Sequence, residues 1–180
     1  EDIRTQSGTL PRDDEMGLPA AVANFSFGQG RLTATPIQIA QMVSTISNGG
    51  YAVTPRLIEG FTDDGEAISQ HTTVYSPNRV LNERTSRVLR EALHSNVLKG
   101  SGKKALPMKG EAGGKTASAQ TGIYLSDGET EIVHAWFAGY YPADTPLYAI
   151  VVLVEGGESG GDIAAPVFKE IADGIYLSKL

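Results

Sequence analysis

Three strand-like runs follow one another between Gly113 and Glu155 with only short turns between them. The first is Gly113-Gly114-Lys115-Thr116-Ala117-Ser118-Ala119-Gln120-Thr121-Gly122. The second is Ile132 to Tyr140, and the third is Leu147 to Glu155. Ser126-Asp127-Gly128 turns the chain between the first two, and Pro142 to Pro146 turns it between the last two. Connections this short join antiparallel neighbours, because a parallel pair needs a crossover of a dozen or more residues. The run is therefore a meander, and the rest of the chain must pack around it. Leu147 to Val154 is almost wholly apolar, which predicts a central strand buried on both faces. A glycine-rich loop, Gly156 to Asp162, leads into a helix from about Ile163 to Leu177. Val167, Phe168, Ile171, Ala172 and Ile175 share one face of that helix, which suits it to cover one face of the sheet.

The first half of the chain supplies helices. Residues 1 to 23 are polar and rich in turn formers and read as a surface loop. Asn24 to Phe27 is apolar at alternate positions. Gly28-Gln29-Gly30 follows and reads as a tight turn. It is not a dinucleotide fingerprint, since Thr33 stands where the third glycine belongs. Thr35-Pro36 opens a helix, with threonine at the N-cap and proline at the first helical position. Ile39, Ala40, Val43 and Ile46 form its apolar stripe, and Asn48-Gly49-Gly50 ends it. Tyr51 to Val53 and Arg56 to Phe61 read as short strands, Asp63-Asp64-Gly65 as a turn, and residues 66 to 80 as irregular. A further helix runs from Asn82 or Thr85 to Val97, with Val88, Leu89, Ala92 and Leu93 as its buried face. Lys99-Gly100-Ser101-Gly102 closes it and begins a flexible approach to the first strand of the meander. Helices first and last, with antiparallel strands between, define an α+β fold: an antiparallel sheet flanked by helices.

Charge narrows the range of partners. The formal net charge is -6, and no basic run is longer than Lys103-Lys104. That argues against nucleic acid and against an anionic membrane surface. There are no cysteines, so thiolate chemistry and disulfides are excluded. His71, His94 and His134 are scattered without metal-ligand spacing, and neither a metal nor a cofactor is expected. The chain opens on a polar segment at Glu1, which leaves room for an upstream anchor or domain.

The meander's first strand carries the most chemistry. Thr116 and Ser118 are two apart and share one face of an extended strand, while Lys115 and Ala117 point the other way. A lysine and two hydroxyls on an apolar sheet can hold an extended peptide that ends in a carboxylate. The same pattern also fits a polar edge strand whose lysine discourages aggregation. Gly157-Glu158-Ser159-Gly160-Gly161 fits G-x-S-x-G between a strand and a helix, the setting of a nucleophile elbow. In that hydrolase class the histidine follows the serine, whereas all three histidines here precede Ser159. A loop capping the last helix is the better reading.

Several stretches, in order, resemble the penicillin-binding proteins. They are Gly28-Gln29-Gly30 through Thr35-Pro36 and Gln38 to Asn48-Gly49, then Gly113 to Gly122, then His134-Ala135-Trp136-Phe137-Ala138-Gly139-Tyr140-Tyr141-Pro142, and finally Ala164-Ala165-Pro166. Residues 1–180 are similar to the C-terminal portion of a transpeptidase domain from a high-molecular-weight member. The resemblance implies a β-lactamase/transpeptidase-like sheet, of which this chain would hold part. It implies a peptidoglycan D,D-transpeptidase acting on the extracytoplasmic face of the bacterial cell membrane. Its three motifs are S-x-x-K, S-x-N and K-T-G. Lys115, Thr116, Ala117 and Ser118 fall on the K-T-G strand and would bind the carboxylate of a peptidoglycan stem peptide or a β-lactam. Ala117 departs from the motif's glycine, and its methyl group crowds the strand or narrows the cleft.

The other two motifs are met only in letters, by Ser101-Gly102-Lys103-Lys104 and Ser76-Pro77-Asn78. Both are out of the family's order and setting. The resemblance therefore implies that the nucleophile lies upstream of Glu1 and that no catalytic serine lies within this chain. It also implies the missing N-terminal half of the domain as a partner, with self-association through an exposed sheet edge when that half is absent. A reading of a different class remains beside it: a non-catalytic module of the same fold that binds a peptide or protein along its sheet edge.

Overall fold

The structure, a computed structural model, describes residues 7–55, 60–62, 65, 70, 71 and 75–178. A 3-10 turn, Asp13–Met16, leads into helix α1 (Pro19–Ser26) and then α2 (Pro36–Ser47). Short strands β1 (Tyr51–Val53), β2 (Gly60–Phe61), β3 (Gln70–His71) and β4 (Tyr75–Arg79) come before α3 (Glu83–Lys99). The long strands are β5 (Gly113–Tyr124), β6 (Glu131–Tyr141) and β7 (Tyr148–Val154). A π-turn, Gly160–Ala164, runs into α4 (Ala165–Leu177).

The meander is present as an antiparallel sheet in the order β5-β6-β7. Gly113 faces Tyr140 and Ser118 faces Ala135 across the first pair. Ala135 faces Val154 and Tyr141 faces Tyr148 across the second. This register explains the glycine pair at the start of β5. A Cβ on Gly113 would run into the Tyr140 ring, and one on Gly114 into the Phe137 ring. Two aromatic rings thus lie where side chains would otherwise stand.

Alternate residues of β6 form the main core. Ala135, Phe137 and Tyr141 are buried with Ile150 and Val152 of β7 against Ala164, Ala165, Phe168 and Ala172. The Phe137 and Phe168 rings meet at 4.6 Å, tilted by 52°. That uses one face of the sheet. Helix α2 also packs on β6 and β7, with Val43 and Ile46 buried outside this cluster, so it takes the other face. Ser86 of α3 is fully buried and donates to the Ile46 carbonyl at 2.7 Å, tying α3 to α2. Asp173 of α4 is buried too. Burial raises its pKa, but hydrogen bonds from Lys169 and the Met108 N–H outweigh that and hold it below the ordinary carboxylate value.

Several local expectations are corrected. The N-terminal segment read as a loop contains helix α1, and Asn24 to Ser26 form its end with Phe27 as the C-cap. Pro19 supplies its first position, and Ala20, Ala21 and Ala23 favour the helix. Residues 75 to 79 are a strand, β4, paired antiparallel with β1, instead of irregular chain. Strand β7 lies at the edge of the described sheet and not at its centre, and only Ile150 and Val152 are buried in it. Helices cover its two faces, but no described strand lies beyond it. On α3, Val88, Leu89 and Ala92 are exposed, while Ser86 and Val97 are buried. The helix meets α2 through Ser86 and the main core through Val97. On α4, Val167 and Ile171 are exposed, and the buried face includes Ala164 and Ala165 instead. Asp63-Asp64, most of the run from Arg56 to Phe61, and residues 66–69 and 72–74 lie outside the described residues. No described helix is long and apolar enough to cross a membrane.

Candidate functional site

The first half of β5 forms one wall of a cleft of about 830 Å³. Lys115, Thr116, Ala117 and Ser118 all line it, together with Gln29, Ser101, Lys104 and Asp162 from three other segments. The pleat puts Thr116 and Ser118 on one face, and each meets a different loop there. The Thr116 and Ser101 hydroxyls lie 2.8 Å apart. The Ser118 hydroxyl accepts from the Gly160 N–H at 3.4 Å. Gly160 is needed at this contact, because a Cβ there would collide with the backbone of Ala117 and with the Trp136 carbonyl.

Lys115 is exposed, and its ammonium turns back along its own strand. It donates to the Thr116 carbonyl at 2.8 Å and to the Thr116 hydroxyl at 3.2 Å. Among the described residues it forms no ion pair. Its charge is therefore available to an anion in the cleft, beside two hydroxyls. The Ser118 proton is also available, since its oxygen is the acceptor in the contact with Gly160. Ala117 is exposed and lines the cleft, directly across from Trp136 of β6.

At the cleft rim, Lys104 pairs with Asp162 at 2.7 Å, and the Ser159 hydroxyl donates to the same carboxylate at 2.8 Å. The Lys104 hydrogen bond, then the Ser159 hydroxyl, hold Asp162 below the ordinary carboxylate value. Ser159 also accepts from the Asp162 N–H as the N-cap of the π-turn. This is the helix-capping role expected of the loop, and Ser159 spends its hydroxyl on it. His134 accepts from the Gly156 N–H through Nδ1 at 3.2 Å.

The S-x-x-K letters at Ser101 and Lys104 do not form a working pair. Ser101 bonds Asn96 and Thr116, whereas Lys104 bonds Asp162. Ser76-Pro77-Asn78 lies in β4, which pairs with β1 and is not a strand of the β5-β6-β7 sheet. Among the described residues, no group of three or more histidine or acidic side chains is placed to hold a metal.

Three contributors are not legible in the sequence: Ser101, through its contact with Thr116, and two amide side chains. Gln29, on the turn between Gly28 and Gly30, donates to the Ser118 carbonyl at 3.2 Å. Asn96, in the last turns of α3, donates to the Gly114 carbonyl at 2.8 Å. Gln29 stands between two glycines and Asn96 one helical turn before Gly100, and neither position by itself points to β5.

Comparison with known proteins identifies the family. The family model for the penicillin binding protein transpeptidase domain matches residues 1–173. The chain is 34% identical over 162 residues to stage V sporulation protein D of Bacillus subtilis, covering 85% of this chain and 24% of that protein. It is 33% identical over 184 residues to penicillin-binding protein PbpB of Mycolicibacterium smegmatis, covering 92% and 27%. Among solved structures, the penicillin G acyl-enzyme complex of penicillin-binding protein A from M. tuberculosis matches with a TM-score of 0.73 and 29% identity, covering 92% of this chain and 36% of that one. The chain belongs to the penicillin-binding protein transpeptidase domain family. It spans about a quarter of the length of these curated relatives.

Proposed function

We propose that this chain is the C-terminal portion of a peptidoglycan D,D-transpeptidase domain and supplies its carboxylate-binding wall. The observation that carries this reading is the Lys115 ammonium, unpaired with any described acid, beside the hydroxyls of Thr116 and Ser118 in one cleft. An anion there gains a charge-assisted contact and two hydroxyl donors. The ligand is the terminal carboxylate of a stem peptide, or the carboxylate of a β-lactam that mimics it. The acylated serine lies outside this chain, in the N-terminal half of the domain, and the reaction passes through an acyl-enzyme. Peptidoglycan lies outside the cytoplasm, so the site works at the extracytoplasmic face of the cell membrane. The outer edge of β7, beyond which no described strand lies, suits docking of that N-terminal half, or self-association when it is absent.

Intact mass after incubation with labelled penicillin tests the reading. The full-length protein gains one adduct, and the chain alone gains none. A stable adduct on Ser101 or Ser159 of the chain alone overturns the assignment of the nucleophile. A full-length protein that binds penicillin without any adduct favours a non-catalytic module that holds a peptide along its sheet edge.

A further inference from the structure

Behind Thr116 sits a small polar relay built by the end of α3. Asn96 is wrapped by the turn Gly100-Ser101-Gly102, whose Gly100 and Gly102 N–H groups both bond the Asn96 carbonyl. The turn needs both glycines. A Cβ on Gly100 would strike the Asn96 side-chain oxygen, and one on Gly102 would come within 2.8 Å of its Nδ2. The carboxamide is therefore held in place, with Nδ2 donating to the Gly114 carbonyl at 2.8 Å.

The hydrogen-bond directions follow from this. A carbonyl only accepts, so the amide nitrogen of Asn96 must face Gly114, and its Oδ1 is left to face Ser101. Oδ1 only accepts, so Ser101 donates to it, at 3.2 Å. Ser101 has one proton, which is now used. At the 2.8 Å contact between the two hydroxyls, Thr116 must then be the donor. Lys115 already donates to the Thr116 oxygen. In this state Thr116 offers the cleft no proton.

We infer that Ser101 is a positioning residue for Thr116 and that the relay reverses when a carboxylate enters the cleft. The Thr116 O–H turns to the carboxylate, and the Ser101 O–H swings from Asn96 to donate to the Thr116 oxygen. Only hydroxyl rotations are involved, and no proton changes owner. Ser101 keeps Thr116 bonded in both states, so its hydroxyl acts on recognition of the carboxylate and not on the acylated bond. The inference rests on the carboxylate-binding role proposed above for the strand.

The test uses the full-length protein and compares acylation by a penicillin with acylation by its methyl ester, which lacks the anion. Ser101→Ala is expected to slow acylation by the acid by roughly fivefold to tenfold, the usual effect of losing one neutral hydrogen bond. It leaves acylation by the ester unchanged, so the preference for acid over ester falls. Ser101→Thr restores the preference, and Ser101→Cys, similar in shape but a weak donor, does not. Ser101→Ala added to Thr116→Val costs nothing further. An equal loss with acid and ester means that Ser101 only supports the fold, and the inference fails. Lys115→Ala is measured in parallel. If it lowers the preference and Ser101→Ala does not, the relay alone is wrong. If neither changes it, the strand does not read the carboxylate, and both proposals fall.

Discussion

From Gly113 to Ser118, strand β5 is held both by its hairpin partner β6 and by segments far away in the chain, whereas from Gln120 to Tyr124 the side-chain bonds come from the hairpin itself. Gln29, Asn96, Ser101 and Gly160 all bond the first half. In the second half, Gln120 and the Gly122 N–H both bond Glu131, and the Thr121 hydroxyl donates to the Ile132 carbonyl. Asp127 closes the turn by accepting from the Glu129 and Thr130 N–H groups and the Thr130 hydroxyl. The register is regular over the first half and shifts between Gln120 and Tyr124. Ile123, Tyr124 and Leu125 stand exposed at the tip. One strand thus carries a half fixed by the whole fold and a half that is locally self-sufficient. A cleft that must place an ammonium and two hydroxyls within hydrogen-bond distance of a ligand needs the first kind of support.

The largest expected difference between the two halves is chemical. In the full-length protein, Lys115→Ala is expected to slow acylation by a carboxylated β-lactam by roughly 30- to 150-fold, equivalent to about 2–3 kcal/mol for a lost charge-assisted contact. Ile123→Ser at the hairpin tip is expected to leave the rate unchanged. Labelled-penicillin kinetics on both variants decide this. Equal rates for the two would remove the functional distinction between the halves.

Next in size is a pair of glycine substitutions measured by urea unfolding. Gly160→Ala puts a methyl group into the backbone of Ala117 and Trp136, and displacing that backbone costs about 1–3 kcal/mol. Gly122→Ala meets nothing within 4 Å, but it must hold φ at +71°, a left-handed strain of about 1–2 kcal/mol. The two losses are similar, but only the first should also reduce acylation. An unperturbed Gly160→Ala variant would mean that the loop does not clamp the strand.

The same contrast explains what was legible in sequence. The hairpin, the α2 caps at Thr35 and Asn48, and the meander order all follow from neighbours in the chain, and periodicity and turn chemistry reveal them. That Lys115, Thr116 and Ser118 lie side by side along one cleft is legible because one strand carries them. Asn96, Ser101 and Gln29 were not, since their roles exist only once α3, the turn after α1 and β5 are brought together. The exposed stripe of α3 and the edge position of β7 depart from the sequence pattern for a related reason. Apolar pattern tells which residues seek burial but not which element will cover them.

Titration offers a smaller test. Asp162 in the cleft and Asp127 in the hairpin are both exposed carboxylates held below the ordinary value, near 3.9. A depressed carboxylate stabilises the fold above its unfolded pKa and loses that contribution as pH falls through the folded pKa. Both networks should therefore persist through pH 4 and loosen only below it. Carboxyl NMR separates them. Lys104→Ala should raise the Asp162 midpoint and leave that of Asp127 in place, since Asp127 draws its partners from Thr130 and Glu129. An unmoved Asp162 would mean that Lys104 does not hold the rim.

The smallest effect concerns Ala117, where the family motif has glycine. Its methyl group is exposed among the residues lining the cleft, so removing it opens no cavity in the core. Ala117→Gly should cost about 0.5–1 kcal/mol of stability, through the greater freedom glycine loses on folding. In the full-length protein, acylation should hold steady or rise modestly, because the cleft widens while Lys115, Thr116 and Ser118 keep their partners. Ala117→Val tests the same point from the other side. A bulkier group at this position should slow acylation, and the β-branched residue suits a strand, so stability should hold. If Ala117→Gly lowered acylation while Ala117→Val did not, the methyl group would be a contact for the ligand, not an obstruction, and this chain would read its ligand differently from relatives that carry glycine there.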